Sequence, residues 1–190
     1  MSDLSTGSLK VRRANESPAA QIAKSLQINE PAHSFVVKLA DELDDASKSS
    51  IWSIFEENMR EMYTTSSFGW DPPTKRAELF DSLSRFILVK AERTLVAFVA
   101  FRFEYEHSQN ILYCYDLQIA QSSRRRGLGR VLDASLVSIG KDFKLDRVML
   151  TVFKANAAAL AFYEKVGFRL DGGSPSDEDE EDYKIFSKKL

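Results

Sequence analysis

The hydrophobic residues of this chain recur with two different periods, and the places where the period changes predict its elements. Residues 1–16 are polar without a period and read as a flexible arm. At Ser17-Pro18 a short helix is expected to begin, with Ser as N-cap and Pro in the first turn, carrying Ala19, Ala20, Ile22, Ala23 and Leu26. Residues 34–40 (SFVVKLA) look like a strand. Over residues 47–63 the apolar positions Ile51, Phe55, Met59 and Met62 repeat at helical spacing. The stretch SSFGWDPP at 66–73 breaks that helix with one Gly and two Pro, and a short helix follows over 74–83.

Three β-like runs come next, at residues 85–90, 95–105 and 111–119, joined by Ala91-Glu92-Arg93-Thr94 and by His107-Ser108-Gln109-Asn110. Short polar connectors between β-branched and aromatic runs predict an antiparallel meander. A Gly-rich basic turn at 124–129 then opens a helix bearing Leu128, Val131, Leu132, Leu136 and Ile139. A strand at 147–153, an Ala-rich helix at 156–166, the pair Gly167-Phe168 and a last strand at 183–187 complete the chain. Meander, then helix, strand, helix, strand predicts an α+β fold, a mixed central sheet flanked by helices. The division expected is an arm and short helix over residues 1–33, followed by one domain over 34–190.

Composition narrows the chemistry. A chain of 190 residues suits one compact domain. Its single cysteine, Cys114, excludes an intrachain disulfide framework, and its two histidines, His33 and His107, lack zinc-site spacing, so no metal is expected. Apolar runs are far too short for a membrane span, and the first residues carry no apolar signal region, so a cytoplasmic and nuclear protein is expected. The formal net charge of −2 hides an asymmetry. Residues 171–182 hold seven acids and no base; without them, the 26 basic residues exceed the remaining acids by five. A mildly basic body therefore carries one strongly acidic patch.

The turn RRRGLGR at 124–130 places glycines where a strand ends and a helix begins. A helix N-terminus offers unpaired N–H groups and partial positive charge, and arginines add charge-assisted contacts, so a pyrophosphate would be stabilised there. An isolated turn of this kind is more commonly a basic surface loop. Its order with Asn156 and AFYEKVGF at 161–168, however, resembles the Gcn5-related N-acetyltransferase (GNAT) family over roughly residues 85–170. MYTTSSFGW (62–70), LYCYDLQ (112–118), VMLTVFK (148–154) and SPS (174–176) further resemble N-terminal acetyltransferases of the NatD type, over about residues 34–190.

The resemblance implies acetyl-CoA as co-substrate, held by Gln118, Ile119, Arg124, Arg125, Arg126, Gly127, Leu128, Gly129 and Asn156. It implies Asp116 as general base, working through a water because Asp is one methylene shorter than the Glu usual in relatives. Tyr163 falls where many members place a tyrosine that protonates the departing thiolate, or is only a core aromatic. Tyr63, Phe68, Trp70, Glu104, Glu106, Tyr113, Tyr115, Thr151 and Tyr183 are implied to bind peptide. Strand alternation puts Glu104 and Glu106 on one face, as solvated edge charges or as a seat for a cationic peptide. Alternation gives Tyr113 and Tyr115 a shared face, with Asp116 opposite unless a bulge intervenes. Cys114 reads as a small buried hydrophobe rather than a nucleophile.

The activity implied is acetylation of the N-terminal Ser α-amine of histone H4 and histone 2A, without an acyl-enzyme. A monomer is expected, with ribosome association as a further implied partner and neither direct DNA nor membrane binding. The rivals are a lysine or small-amine acetyltransferase of the same fold and a non-catalytic acyl-CoA-binding module.

Overall fold

The computed structural model describes residues 7–176 and 178–190. Its elements run in chain order α1 (Leu9–Asn15), α2 (Ala19–Ala23), β1 (Ser34–Leu39), α3 (Asp45–Thr65), α4 (Pro72–Leu79), β2 (Arg85–Ala91), β3 (Thr94–Glu106), β4 (Gln109–Ile119), α5 (Leu128–Asp142), β5 (Arg147–Phe153), α6 (Ala157–Lys165), β6 (Arg169–Leu170) and β7 (Tyr183–Lys189). The strands form one sheet in the order β1-β2-β3-β4-β5-β7-β6. Among the described residues only β4 and β5 run parallel, because α5 carries the chain back across the sheet between them. The expected α+β architecture, a mixed sheet with helices on both faces, is the observed one.

The long apolar run of β3 is buried on both sides, and its alternation sorts residues between two cores. Ala97, Val99, Phe101 and Phe103 join one with Val11, Ile22, Leu132, Leu136 and Ile139. Phe98 and Ala100 join the other with Ile51, Trp52, Phe55 and Leu79 of α3 and α4. The apolar stripe of α3 therefore packs on the sheet face opposite α1, α2 and α5. Asp44 caps α3 and Asp71 caps α4, each accepting a backbone N–H three residues on. Those caps, together with Pro72 at the first helical position, start α4 earlier than the expected residue 74 and α3 two residues before 47.

The N-terminal segment corrects the flexible-arm expectation. Residues 1–6 lie outside the described part, but residues 9–15 form a helix capped by Ser8, with Val11 and Ala14 buried in the main core. Its polar surroundings concealed a two-residue apolar stripe too short to register as periodic. The side chain of Asn15 donates to the Phe103 carbonyl at 3.1 Å, and the buried Arg85 guanidinium donates to the Asn15 carbonyl at 2.7 Å. Pro18, not Ser17, is the N-cap of α2, since the Ser17 hydroxyl donates backwards to the Arg13 carbonyl.

Two features of β4 position everything that follows. Ala100 of β3 pairs with Asp116 while Phe101 pairs with Cys114, so Tyr115 is an extra residue in a β-bulge. In addition, β4 stays hydrogen-bonded to β5 only from Ile111↔Arg147 to Cys114↔Leu150. Beyond that point the two strands part.

The β3–β4 hairpin turns at His107 and Ser108, both in left-handed backbone with φ of 47° and 62°. Two such residues give the turn the twist the strands require, at a steric cost that a Cβ imposes. Ser108→Gly is accordingly expected to raise stability by about 0.5–1 kcal/mol in urea denaturation at pH 7, whereas Gly at Ile111, inside the strand, lowers it.

Candidate active site

The parting of β4 from β5 opens a cleft of about 410 Å³. Its floor is formed by residues 113–118 of β4 and its far wall by Thr151, Val152 and Phe153 of β5. Met59 and Tyr63 of α3, Phe68 of the following loop, Lys75 and Glu78 of α4, Asn156 and Tyr163 of α6, and Tyr183 of β7 close the sides. The bulge decides the floor. Tyr113 pairs with Arg102 and Asp116 with Ala100, and Arg102 and Ala100 share a face of β3; Tyr113 and Asp116 therefore share a face although three residues apart. Simple alternation would have turned Asp116 into the opposite core.

Burial pushes the Asp116 carboxyl up to about 7. The amide of Gln118 donates to its Oδ1 at 2.9 Å and opposes the rise, Glu78 adds to it, and Lys75 reduces it. The surrounding phenols hold their protons more tightly than usual for the same reason. Burial raises Tyr113 to about 12 and raises Tyr63, Tyr115 and Tyr163 as well, with the Asp116 charge contributing at Tyr63 and Tyr163. Cys114, two residues before Asp116, is 3% exposed in the main core, and burial raises its thiol well above its ordinary range.

The aromatic wall is a connected set. Tyr63 meets Phe153 edge-on at 5.0 Å, and Phe68 lies 5.7 Å from Phe153 and 5.5 Å from Tyr183. Tyr113 and Thr151 share a hydrogen bond of 2.5 Å across the gap between the parted strands. The acidic loop is tied to this wall: Asp182 accepts the Ser67 N–H at 2.6 Å and its hydroxyl at 3.2 Å. Asp177 of that loop lies outside the described residues. Lys75 extends over the Tyr63 ring, 4.4 Å from its centroid, and pairs with Glu78 at 2.8 Å.

Several residues expected to bind peptide stand elsewhere. Trp70 is stacked 5.7 Å from Trp52 and 6.2 Å from Phe55 and belongs to the α3–α4 core, not to the cleft lining. Glu104 sits behind the wall, accepting the Tyr115 hydroxyl at 2.7 Å, and burial raises its carboxyl. Glu106 is exposed at the hairpin end, 3.7 Å from His107. Lys75, Glu78 and Phe153 line the cleft without having been singled out from sequence. A Lys and a Glu three residues apart on a short helix look like any solvent-exposed pair until the helix is folded across a pocket.

A second groove of about 730 Å³ runs alongside the first and shares Gln118, Asn156 and Tyr163 with it. Ile119, Arg124, Arg125, Gly127, Leu128, Gly129 and Arg130 line it; Arg126 does not. Gly127 and Arg125 adopt left-handed backbone, with φ of 88° and 62°. No side chain caps the N-terminus of the 15-residue α5, and a Cβ on Gly127 would meet nothing within 4 Å. At Gly129 a Cβ would instead come within 3.1 Å of the Phe162 ring, so glycine there lets α5 approach α6. Open helix N–H groups, a bare backbone and three arginines fit an anionic pyrophosphate. Asn156 accepts the Ala159 N–H at 3.1 Å, and is therefore both the N-cap of α6 and part of the wall between the two cavities. Among the described residues, no group of three or more His, Cys, Asp and Glu could hold a metal ion.

Comparison with known proteins agrees with this geometry. Residues 50–168 match the model of the acetyltransferase (GNAT) family. Among solved structures, the ribosomal-protein-S18-alanine N-acetyltransferase from Escherichia coli is 18% identical, with 83% of this chain and 94% of that one covered and a TM-score of 0.56. The PaiA N-acetyltransferase from Thermoplasma acidophilum, in complex with coenzyme A, is 16% identical over 83% and 99%, with a TM-score of 0.60. A GNAT-family acetyltransferase from Staphylococcus aureus is 14% identical over 83% and 99%, with a TM-score of 0.64.

The raised Asp116 carboxyl has a consequence for stability. Between its unfolded value of 3.8 and about 7, the folded state holds a proton that the unfolded state has released, so stability falls as pH rises through that window. Asp116→Asn removes the penalty. The variant is expected to exceed wild type by about 1–3 kcal/mol at pH 8 and to match it at pH 4, read from urea denaturation at the two pH values.

Proposed function

Because the chain belongs to the acetyltransferase (GNAT) family, whose members use acetyl-CoA, we propose that it transfers acetyl to the α-amine of a protein N-terminus, with the Ser termini of histone H4 and histone 2A as substrates. The carrying observation is a carboxyl poised near neutral pH on the floor of an aromatic-walled cleft that shares a wall with the pyrophosphate-type groove. When bound, acetyl-CoA supplies the activated acetyl thioester. The residues of the turn at 124–130, Arg126 excepted, and Asn156 would hold it, and the chain's own groups do the rest.

An α-amine titrates near 7.7–8.0, so only part of it is neutral at physiological pH. Asp116 accepts its proton, through a water because the Asp side chain is short, and a base titrating near 7 is well matched to that task. Tyr63, Phe68 and Tyr183 line the sides of the cleft above the floor to which Tyr113 belongs, and this aromatic lining favours a small first residue such as Ser followed by Gly. Tyr163 keeps its phenolic proton because of burial and stands at the wall shared by both cavities, positioned to give a proton to a leaving group there. Glu104 and Glu106 at the end of β3, and the acids of the loop tied to Ser67 by Asp182, supply the negative potential that draws a basic tail. A histone substrate is consistent with an enzyme working in the cytoplasm and nucleus.

The Lys75–Glu78 pair inside the cleft favours a second reading, an enzyme for side-chain or small amines, since it shows that an alkylammonium fits against Tyr63. One assay separates the readings. A peptide beginning Ser-Gly-Arg-Gly-Lys is expected to be acetylated when its N-terminus is free and left unmodified when that terminus is blocked, by mass spectrometry. Acetylation of the blocked peptide would establish the second reading. If neither peptide reacts while CoA still binds, the chain is a cofactor-binding module.

The pH dependence follows from the sign of the Asp116 shift. Only the carboxylate can accept a proton, so kcat at saturating free peptide is expected to rise with pH through about 7. Asp116→Asn is expected to lose about 100-fold in kcat and the rising limb with it.

A further inference from the structure

Asn58 lies on the face of α3 that crosses the start of the basic turn, and every hydrogen-bonding group of its side chain has a partner. Its amide nitrogen donates to the Gln118 Oε1 at 3.0 Å and to the Ile119 carbonyl at 3.1 Å. Its Oδ1 accepts from the Arg124 guanidinium, which also donates to the Ile119 carbonyl at 3.2 Å. The Gln118 side chain is buried, and its Nε2 donates to Asp116 Oδ1 at 2.9 Å. The four side chains thus form one directional run from the cofactor turn to the floor of the cleft.

Direction is the point. An amide can turn either end toward a neighbour, but a guanidinium can only donate. With Arg124 against Asn58 Oδ1, the Asn58 nitrogen must face Gln118, so the Gln118 oxygen faces Asn58 and its N–H faces Asp116. We propose that Asn58 is a positioning residue: held by Arg124, it fixes the polarity of the Gln118 amide so that the carboxylate form of Asp116 is the one stabilised. This inference rests on the assignment of Asp116 as base. It adds a dependence of that base on the turn that binds the co-substrate.

Without the relay, Gln118 is free to present its carbonyl, which favours a protonated carboxyl. The other groups facing Asp116 are Tyr63 of α3, Lys75 and Glu78 of α4, Tyr163 of α6 and Cys114 of its own strand. None of them is altered by changes at Asn58 or Arg124.

The test is a carbon-13 titration of side-chain carboxyls in the full, cofactor-free chain, with the Asp116 signal assigned by its loss in Asp116→Asn. Asn58→Leu is expected to raise the Asp116 midpoint by about one pH unit, leaving the midpoints of other carboxyls in place. Arg124→Met severs the same run at an exposed side chain that the core does not use, so it serves even if Asn58→Leu fails to fold. It is expected to raise the midpoint too, by less than Asn58→Leu because the Ile119 carbonyl still holds the Asn58 amide, and the double variant by no more than Asn58→Leu alone. Simple loss of the Arg124 charge would instead add to the Asn58 effect. A midpoint that stays put or falls in the folded variants, or additive shifts in the double one, overturns the proposal. The measurement involves no turnover, so its failure leaves the peptide assay untouched, and failure of the peptide assay leaves it interpretable.

Discussion

The structure turns on the point where β4 stops pairing with β5. Backbone hydrogen bonds left unmade in a protein interior are costly, so strands in the middle of a sheet rarely separate without compensation. Here Cys114↔Leu150 is the last parallel pair, the bulge at Tyr115 falls immediately beyond it, and Tyr113 and Thr151 join side chains across the opening. The parting frees main-chain groups in the centre of the sheet and creates the cleft. The bulge then rotates the rest of β4 by one side-chain position, bringing Asp116 and Gln118 round to the cleft. A chain with the same composition and an unbroken β4–β5 ladder would have a filled sheet and no site.

Opposite charges are held apart by that arrangement. The arginines of the turn line a groove on one side of the Asn156–Tyr163 wall, while the carboxyl on the floor and the acidic loop belong to the other. The formal net charge of −2 thus conceals a basic turn and an acidic loop. Between them, among the described residues, Asp116 pairs with no cation and is instead met by an amide, which keeps it near its switching point. A directly paired Arg would have held it ionised well below neutral pH and weakened it as a base.

Loops on the two sides of the cleft are joined by contacts that sequence order does not suggest. Ser67 follows α3, and Asp182 precedes β7, 115 residues later; their hydrogen bonds bring Phe68 against Tyr183 and close one wall. An acidic run read by itself is a solvated loop. Its last member is a structural tie, Asp171 at its start pairs with Arg147 at 2.7 Å, and Asp179, Glu180 and Glu181 line a groove beside Ser67 and Tyr183.

Most of the fold was legible because it depends on local periodicity. The alternation of β3, the helical stripe of α3, the glycine turn and the Asn156 cap each express a rule that acts over a few residues, and those elements appear where the pattern places them. The same holds for the groove, since Gly127 and the open N-terminus of α5 are local features. What failed was of a different kind. The helix at 9–15 exists because Val11 and Ala14 join Phe101 and Phe103 of the sheet in one buried core, a partnership invisible in a polar segment. Trp70 looked like a loop aromatic but is drawn into the α3–α4 core by Trp52 and Phe55. Lys75, Glu78 and Asn58 look like ordinary helix-surface polarity, and only the crossing of α3 and α4 over the parted strands turns them inward. The sequence by itself determined most of the elements, the α+β class and the pyrophosphate-type turn, because these follow from side-chain period and backbone freedom. The tertiary structure alone decided the face of Asp116, its raised affinity for a proton and the company it keeps, because a one-residue bulge and long-range burial have no local signature.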